Sequence, residues 1–304
     1  MPHFDGLLPL YKPHGMTSHD CVARLRKWLG IRKVGHTGTL DPDVDGVLIL
    51  CLGKATKVAQ YLLDYGKTYK GKIRLGMATT TEDASGAVVE TSEVAGSIDR
   101  ERIERVFARF RGEIRQAPPM YSAVKVNGKK LYEYAREGLS VRRPFRRVQI
   151  YDLALDSESA CFTEIIPFEV SCSKGTYVRT LAVDIGRALG FPAHLLSLTR
   201  TKAGPFTIED CLTFEQIKAR LADGNFFKSI KPMESGLTHL DRWTVDDAIA
   251  EKVACGAVLP APEGFRDHAY AVYNAKGDCL AIYRRHPERK GLVKPEKVLV
   301  TGKS

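Results

Sequence analysis

No stretch of the 304-residue sequence approaches the roughly 18 consecutive apolar residues that a membrane-spanning helix needs. The longest apolar run, 47–52 (Val-Leu-Ile-Leu-Cys-Leu), has the length of a buried strand. The opening segment MPHFDGLLPLYKPHG has neither a basic leader nor an apolar signal core, so secretion is not expected. Cysteine is sparse: Cys21, Cys51, Cys161, Cys172, Cys211, Cys255 and Cys279 are scattered, with no CxxC and no accompanying histidine spacing. That excludes a disulfide framework and a zinc site, and predicts free thiols in a reducing, cytoplasmic compartment. Phosphate and cofactor signatures are also missing. The glycine-containing stretch 35–39 has no GK[ST], 53–56 (Gly-Lys-Ala-Thr) is spaced wrongly for one, and neither GxGxxG nor GxSxG occurs. No cofactor signature is left.

What the chain has is an ordinary globular mixture, 44% hydrophobic and 27% charged, long enough for two domains. It also carries a net charge of +10, from 46 Lys+Arg against 36 Asp+Glu, and a positive surface attracts polyanions. The excess is local. Residues 1–100 hold 13 basic and 11 acidic side chains, almost in balance. The window 125–149 sets Lys125, Lys129, Lys130, Arg136, Arg142, Arg143, Arg146 and Arg147 against Glu133 and Glu137, interleaved with Tyr132, Tyr134 and Phe145. A second window, 284–303, sets seven basic residues against Glu288 and Glu296. Basic and aromatic residues together suit an RNA backbone with exposed bases, although a solvated loop has the same composition.

Periodicity and caps predict strands over 7–11, 47–52, 67–75, 148–155 and 161–172. Helices are expected from a Ser18 cap to Gly30, from Thr56 to 63, over 98–110 and over 180–189. Another should open at the capping box Thr213-Phe-Glu-Gln216. Periodicity lapses over 229–241. Beyond it come a short helix (246–253), strands at 269–273 and 279–284 about an Asn274–Gly277 turn, and a closing strand at 298–300. The expected class is α/β (α+β), without a βαβ rhythm. The domains fall at 1–235 and 236–304.

The densest polar cluster is 35–46, Gly-His-Thr-Gly-Thr-Leu-Asp-Pro-Asp-Val-Asp-Gly. It begins like a calcium loop, but the twelfth position is Leu52 instead of glutamate. A magnesium site remains open, though no DxD or HxD partner follows. Asp41 stands out because Pro42 holds it extended, while Gly35 and Gly38 permit close turns. Asp43 and Asp45 read as turn or solvent residues. One carboxylate can serve as nucleophile, base or anchor, and the residues alone do not choose. In 172–179 (Cys-Ser-Lys-Gly-Thr-Tyr-Val-Arg), Tyr177 and Arg179 would face one way if extended, and an inward arginine could keep a buried carboxylate ionised.

Five segments together resemble the bacterial TruB family of tRNA pseudouridine-55 synthases: GLLPLYKPHGMTSHD (6–20), VGHTGTLDPDVDGVLILCLGKATK (34–57), KTYKGKIRLG (67–76), RGEIRQAPPMYSAVKVNGKKLYEYAREG (111–138) and CSKGTYVRTLAVDIGRALG (172–190). The resemblance implies a mixed, largely antiparallel catalytic sheet and a small, mostly-β C-terminal domain of the PUA type. It implies that one uridine in the T-arm loop of tRNA is flipped out and isomerised without metal or cofactor. It also implies a monomer with no obligate protein partner. By similarity Asp41 is the catalytic aspartate, acting on C1′ directly or through a glycal, or on C6. Tyr69 stacks on the uracil, Arg179 pairs with Asp41, and His36 occupies the space of the flipped nucleotide. Lys12, near the active site, supports the first motif, and Leu198 is an apolar pocket residue; with His36 and Tyr177 these two are the expected substrate-binding residues. The basic stretch lies in an insertion, about 117–150, that would clamp tRNA, with Lys125, Lys129, Lys130, Arg142, Arg143, Arg146 and Arg147 as backbone contacts. Two features depart from the family pattern. Thr39 replaces a frequent alanine, and DPDVDG carries two more carboxylates than the common DPLATG, which would repel RNA unless turned away. The rival readings are a non-catalytic tRNA-binding or folding protein, and a metal-dependent RNA phosphoesterase using Asp41, Asp43 and Asp45.

Overall fold

The structure is a computed structural model and describes residues 4–300. Lys303, the last residue of the second basic window, lies outside the described residues. The first sheet is built from β1 (Gly6–Lys12), β2 (Val34–Thr37), β3 (Val44–Leu52), β4 (Lys67–Leu75), β5 (Gly112–Gln116), β6 (Arg146–Leu155), β7 (Ile165–Cys172) and β8 (Ala193–Ala203). Their order is β1-β3-β8-β4-β7-β6-β5, with β2 also on β3 and the short strand Phe206–Thr207 on β8. Every pairing is antiparallel except β3 with β8. Gly46 permits that parallel contact: its φ is +102°, and a β-carbon there would collide with the Arg200 backbone.

The run 47–52 is buried on both faces, as an unalternated strand should be. Leu48, Leu50 and Leu52 of β3, with Leu8 and Leu10 of β1, point to one side. There they meet α1 (Ser18–Leu29), α3 (Arg100–Phe110), α5 (Val178–Leu189) and α6 (Phe214–Ala222) through Leu25, Phe107, Ile185 and Ile217. Val47, Ile49 and Cys51, with Leu7, point to the other side and meet Ala271, Ile282 and Leu299. Those last three belong to the second sheet and the residue just after it. The second sheet comprises β9 (Asp241–Thr244), β10 (Leu259–Pro260), β11 (Tyr270–Tyr273), β12 (Cys279–Arg285) and β13 (Leu292–Val298), in the order β9-β11-β12-β13-β10. One apolar cluster therefore runs through both sheets.

Several local expectations shift. Thr17, not Ser18, caps α1, closing a capping box with Asp20, and this frees the Ser18 hydroxyl for another partner. The segment 53–63 forms a 3₁₀ turn (Gly53–Val58) before the short α2 (Ala59–Leu62). Residues 98–99 pair as a strand with 161–162, and α3 starts at Arg100. The expected strand 161–172 is broken at 163–164. The last strand ends at Val298 rather than beginning there. Tyr177 and Arg179 do not share an extended segment: Tyr177 is the N-cap of α5, and Arg179 lies in its first turn. Within the basic insertion, a small hairpin (Lys125–Val126 with Lys129–Lys130) leads into the short α4 (Leu131–Arg136). The helix expected at 246–253 is α7 (Asp247–Ala254), capped by the Asp246 side chain. None of the described helices is long and apolar enough to cross a membrane.

Candidate active site

Asp41 stands in the loop between β2 and β3, and its neighbours are pinned from three directions. The Ser18 hydroxyl accepts from the Leu40 amide at 2.9 Å and donates to the Leu40 carbonyl at 3.2 Å. The Pro42 carbonyl accepts from the Gly15 amide at 2.9 Å and from Nζ of Lys12 at 3.0 Å. The Asp41 carbonyl accepts from the Val44 amide at 3.1 Å, closing a turn. With the backbone fixed on both sides, the Asp41 side chain has a defined direction.

It points at Arg179. Nη2 of Arg179 lies 3.0 Å from Oδ2 of Asp41, and the arginine side chain is 11% exposed while the aspartate is 48% exposed. A concealed cation thus presents an anion to the open side. Arg179 is itself held on every flank. Nη1 donates to the Thr81 carbonyl at 3.0 Å and to Asp83 at 3.4 Å, and Nη2 donates to the Tyr121 carbonyl at 3.1 Å. Asp83 accepts in turn from the Ser85 amide (3.0 Å) and the Thr81 and Ser85 hydroxyls (2.5 and 2.6 Å). The start of α5 is fixed by Gln116, whose amide side chain accepts from the Tyr177 amide (3.0 Å) and donates to the Tyr177 carbonyl (3.2 Å).

These groups surround one cavity of about 1280 Å³. Asp41, Tyr69, Tyr177, Arg179 and Leu198 all line it, together with Asp83, Lys67, Arg146, Arg147 and Arg200. Tyr69 comes from the central strand β4, paired with Val170 on one side and Arg200 on the other. Burial pushes its phenol above the ordinary value, and the nearby Arg200 charge opposes this. Burial also lowers the Lys67 amine to about 8, helped by Arg200.

Two candidates sit elsewhere. Lys12 is completely buried, and its amine donates to the carbonyls of Pro13, Met16 and Pro42. It holds the loop from beneath and is not among the residues that line the cavity. His36 on β2 does not line the cavity. Burial, reinforced by the nearby His19 and Arg200 charges, lowers its imidazole below the usual value.

The three loop carboxylates all line the cavity but have separate partners. Asp41 pairs with Arg179, Asp43 lies 3.6 Å from Nε2 of His14, and Asp45 accepts from the Tyr11 hydroxyl at 2.9 Å. No group of three or more His, Cys, Asp or Glu among the described residues is arranged to hold a metal.

The basic insertion divides into two groups. Arg143 bonds Glu82 (3.4 Å) and the Pro118 carbonyl (3.1 Å), Arg147 bonds Glu113 (3.1 Å), and Lys129 pairs with Glu137. Lys125, Lys130, Arg142 and Arg146 have no carboxylate partner among the described residues. Lys125, Arg142 and Arg143 line a smaller pocket of about 550 Å³ with Arg115 and Phe145, and the Arg115 guanidinium lies over the Phe145 ring. Asp83, Gln116 and Arg200 were not singled out in the sequence. Each acts through partners far away in the chain, and no local pattern marks them.

Comparison with known proteins gives a consistent picture. Residues 26–178 match the family model described as TruB family pseudouridylate synthase (N terminal domain), and residues 179–238 match the tRNA pseudouridylate synthase B C-terminal domain. The chain is 54% identical to tRNA pseudouridine synthase B of Halalkalibacterium halodurans, over 97% of each chain. It is 51% identical to the Bacillus subtilis protein of the same name, over 97% of this chain and 98% of that one. Among solved structures, a chain of a Cbf5-Nop10-Gar1 complex superposes with a TM-score of 0.77 at 31% identity, covering 98% of this chain and 86% of the other. A chain of an H/ACA RNP bound to a substrate RNA containing 2′-deoxyuridine gives 0.75 at 29% identity, covering 98% and 86%.

Proposed function

The chain belongs to the TruB family of pseudouridylate synthases and isomerises uridine to pseudouridine in tRNA; from that premise we propose that its target is uridine 55 in the T-arm loop and that Asp41 is its catalytic carboxylate. Pseudouridine has the composition of uridine. The C1′–N1 bond breaks, the C1′–C5 bond forms, and the proton on C5 is exchanged for one on N1. Attack at C1′, a glycal route and attack at C6 all require a carboxylate within reach of a nucleotide taken out of its stack. The observation that carries the reading is the Arg179–Asp41 pair at 3.0 Å, set at the wall of a cavity that Tyr69 and Leu198 also line.

Tyr69 offers a face on which the flipped uracil stacks, and such stacking recovers about 1–3 kcal/mol of the cost of extrusion. Leu198 and Tyr177 supply apolar wall. Lys125, Lys130, Arg142 and Arg146, whose side chains have no carboxylate partner among the described residues, are assigned to the tRNA backbone. The protein acts as a cytoplasmic monomer. Asp41, Asp43 and Asp45 border one cavity, but each is engaged by a different side chain, Arg179, His14 and Tyr11, which supports chemistry without a metal held by this loop. The test is incubation with unmodified, prefolded tRNA in excess EDTA, followed by site-resolved pseudouridine detection. Modification at position 55, with RNA length and mass unchanged, is expected. Cleaved RNA, or turnover that Mg2+ alone restores on folded tRNA, would refute it.

A further inference from the structure

β3 has two different neighbours along one edge. β2 pairs with it as far as Thr37, opposite Ile49, and β8 pairs with it from Arg200, opposite Gly46. Between these registers no strand faces the edge, and a backbone carbonyl pointing there needs another donor. The Arg200 side chain fills the gap. Its Nε donates to the Val47 carbonyl at 2.7 Å, and its Nη2 donates to the Gly38 carbonyl at 3.0 Å. Gly38 is the first residue after β2 and Val47 lies early in β3, so one guanidinium holds both ends of the loop that carries Asp41.

Arg200 is 1% exposed, and none of the described carboxylates pairs with it. A buried cation whose partners are neutral oxygens, the two carbonyls and the Tyr69 phenol, is an unfavourable arrangement in itself, so its retention needs a reason. The loop is moulded to it: Gly38 has φ +72°, and a β-carbon there would lie 3.3 Å from Nη1 of Arg200. Arg200 also stands opposite Tyr69 in the β8–β4 register and lines the cavity. It therefore touches the catalytic loop and adjoins the stacking platform, while Asp41 itself pairs with a different arginine.

We propose that Arg200 is a positioning residue for the isomerisation: it closes the seam between β2 and β8 and so fixes the loop that aims Asp41 into the cavity. This rests on Asp41 being the catalytic carboxylate. Lysine is a demanding control, because it keeps the charge but must reach both carbonyls from a single nitrogen, whereas Arg200 meets Val47 with Nε and Gly38 with Nη2.

The experiment compares wild type, Arg200→Lys and Arg200→Ala by three measurements: tRNA affinity, single-turnover pseudouridine formation, and hydrogen exchange at the Leu40 and Val44 amides. Thermal unfolding confirms that each variant is folded. Arg200→Lys is expected to bind tRNA within about threefold of wild type, yet to lose at least tenfold in rate and exchange the two amides at least tenfold faster. Millimolar methylguanidinium should recover part of the rate in Arg200→Ala, and methylammonium should not. Unchanged exchange at both amides, or a rate loss matched by weaker binding or by the unfolded fraction, would overturn the proposal. If Arg200→Ala fails to fold, Arg200→Lys decides. If wild type forms no pseudouridine the functional reading fails, whereas faster loop exchange in Arg200→Lys would still mark the clamp.

Discussion

Arg179 reaches Asp41 and Asp83 with different terminal nitrogens, at 3.0 Å and 3.4 Å. The guanidinium is thus shared between the carboxylate that faces the cavity and one that is 20% exposed and fastened by its own turn. Asp83 fixes where Arg179 points, and Arg179 fixes where Asp41 points.

Replacing Asp83 with Asn keeps the shape and removes the charge. Arg179 should then shift toward Asp41 and alter its alignment. Single-turnover conversion should fall by about tenfold or more, equivalent to about 1.4 kcal/mol of barrier, with tRNA affinity within a few-fold of wild type. An unchanged rate would remove Asp83 from the account.

The insertion should show a division of labour. Neutralising Arg142 and Arg146 should weaken tRNA binding and flatten its dependence on salt by about two units of log–log slope, since each free phosphate contact contributes nearly one. Arg143 and Arg147 already have carboxylate partners, so neutralising that pair should change the slope less. Equal slopes for the two double variants would contradict the assignment.

His36 gives a pH signature. Burial, with the His19 and Arg200 side chains nearby, depresses its imidazole below the ordinary 6.5. Between the depressed value and 6.5 the unfolded chain binds a proton that the folded chain does not, so stability rises with pH through that window. Acidification through it should lower the urea midpoint of wild type more than that of His36→Asn. A ring titration midpoint at or above 6.5 by NMR would contradict this.

Ile282 of the second sheet is fully buried in the cluster that contains Val47 and Ile49 of β3. Ile282→Ala should cost about 2–5 kcal/mol and lower a single unfolding transition seen for the whole chain. Two separate transitions, with only one displaced, would indicate that the sheets unfold independently.

What could be read from the chain was what the chain encodes locally. The alternation in 67–75 coincides with β4, and the Thr213–Gln216 capping box opens α6. The Thr17/Ser18 ambiguity arose because adjacent hydroxyl residues look alike as caps, and only their partners separate them. β8 escaped notice because LLSLTRTKA has no clean period of two; it is a central strand that carries a buried arginine. The last strand holds Pro295, a residue that argues against a strand there, and so its sequence hides it. Asp41 and Arg179 stand out in the residues themselves, whereas their roles, and Tyr69, come from the motif resemblance. Asp83, Gln116 and Arg200 belong to the site through contacts that span 61 or more residues, and these exist only once the chain is folded.

The most direct test of the central claim is Asp41→Asn under single-turnover conditions, with binding to unmodified tRNA and pseudouridine at position 55 measured on the same preparation. The account predicts affinity within a few-fold of wild type and no detectable pseudouridine. Substantial residual conversion by the folded variant would contradict it.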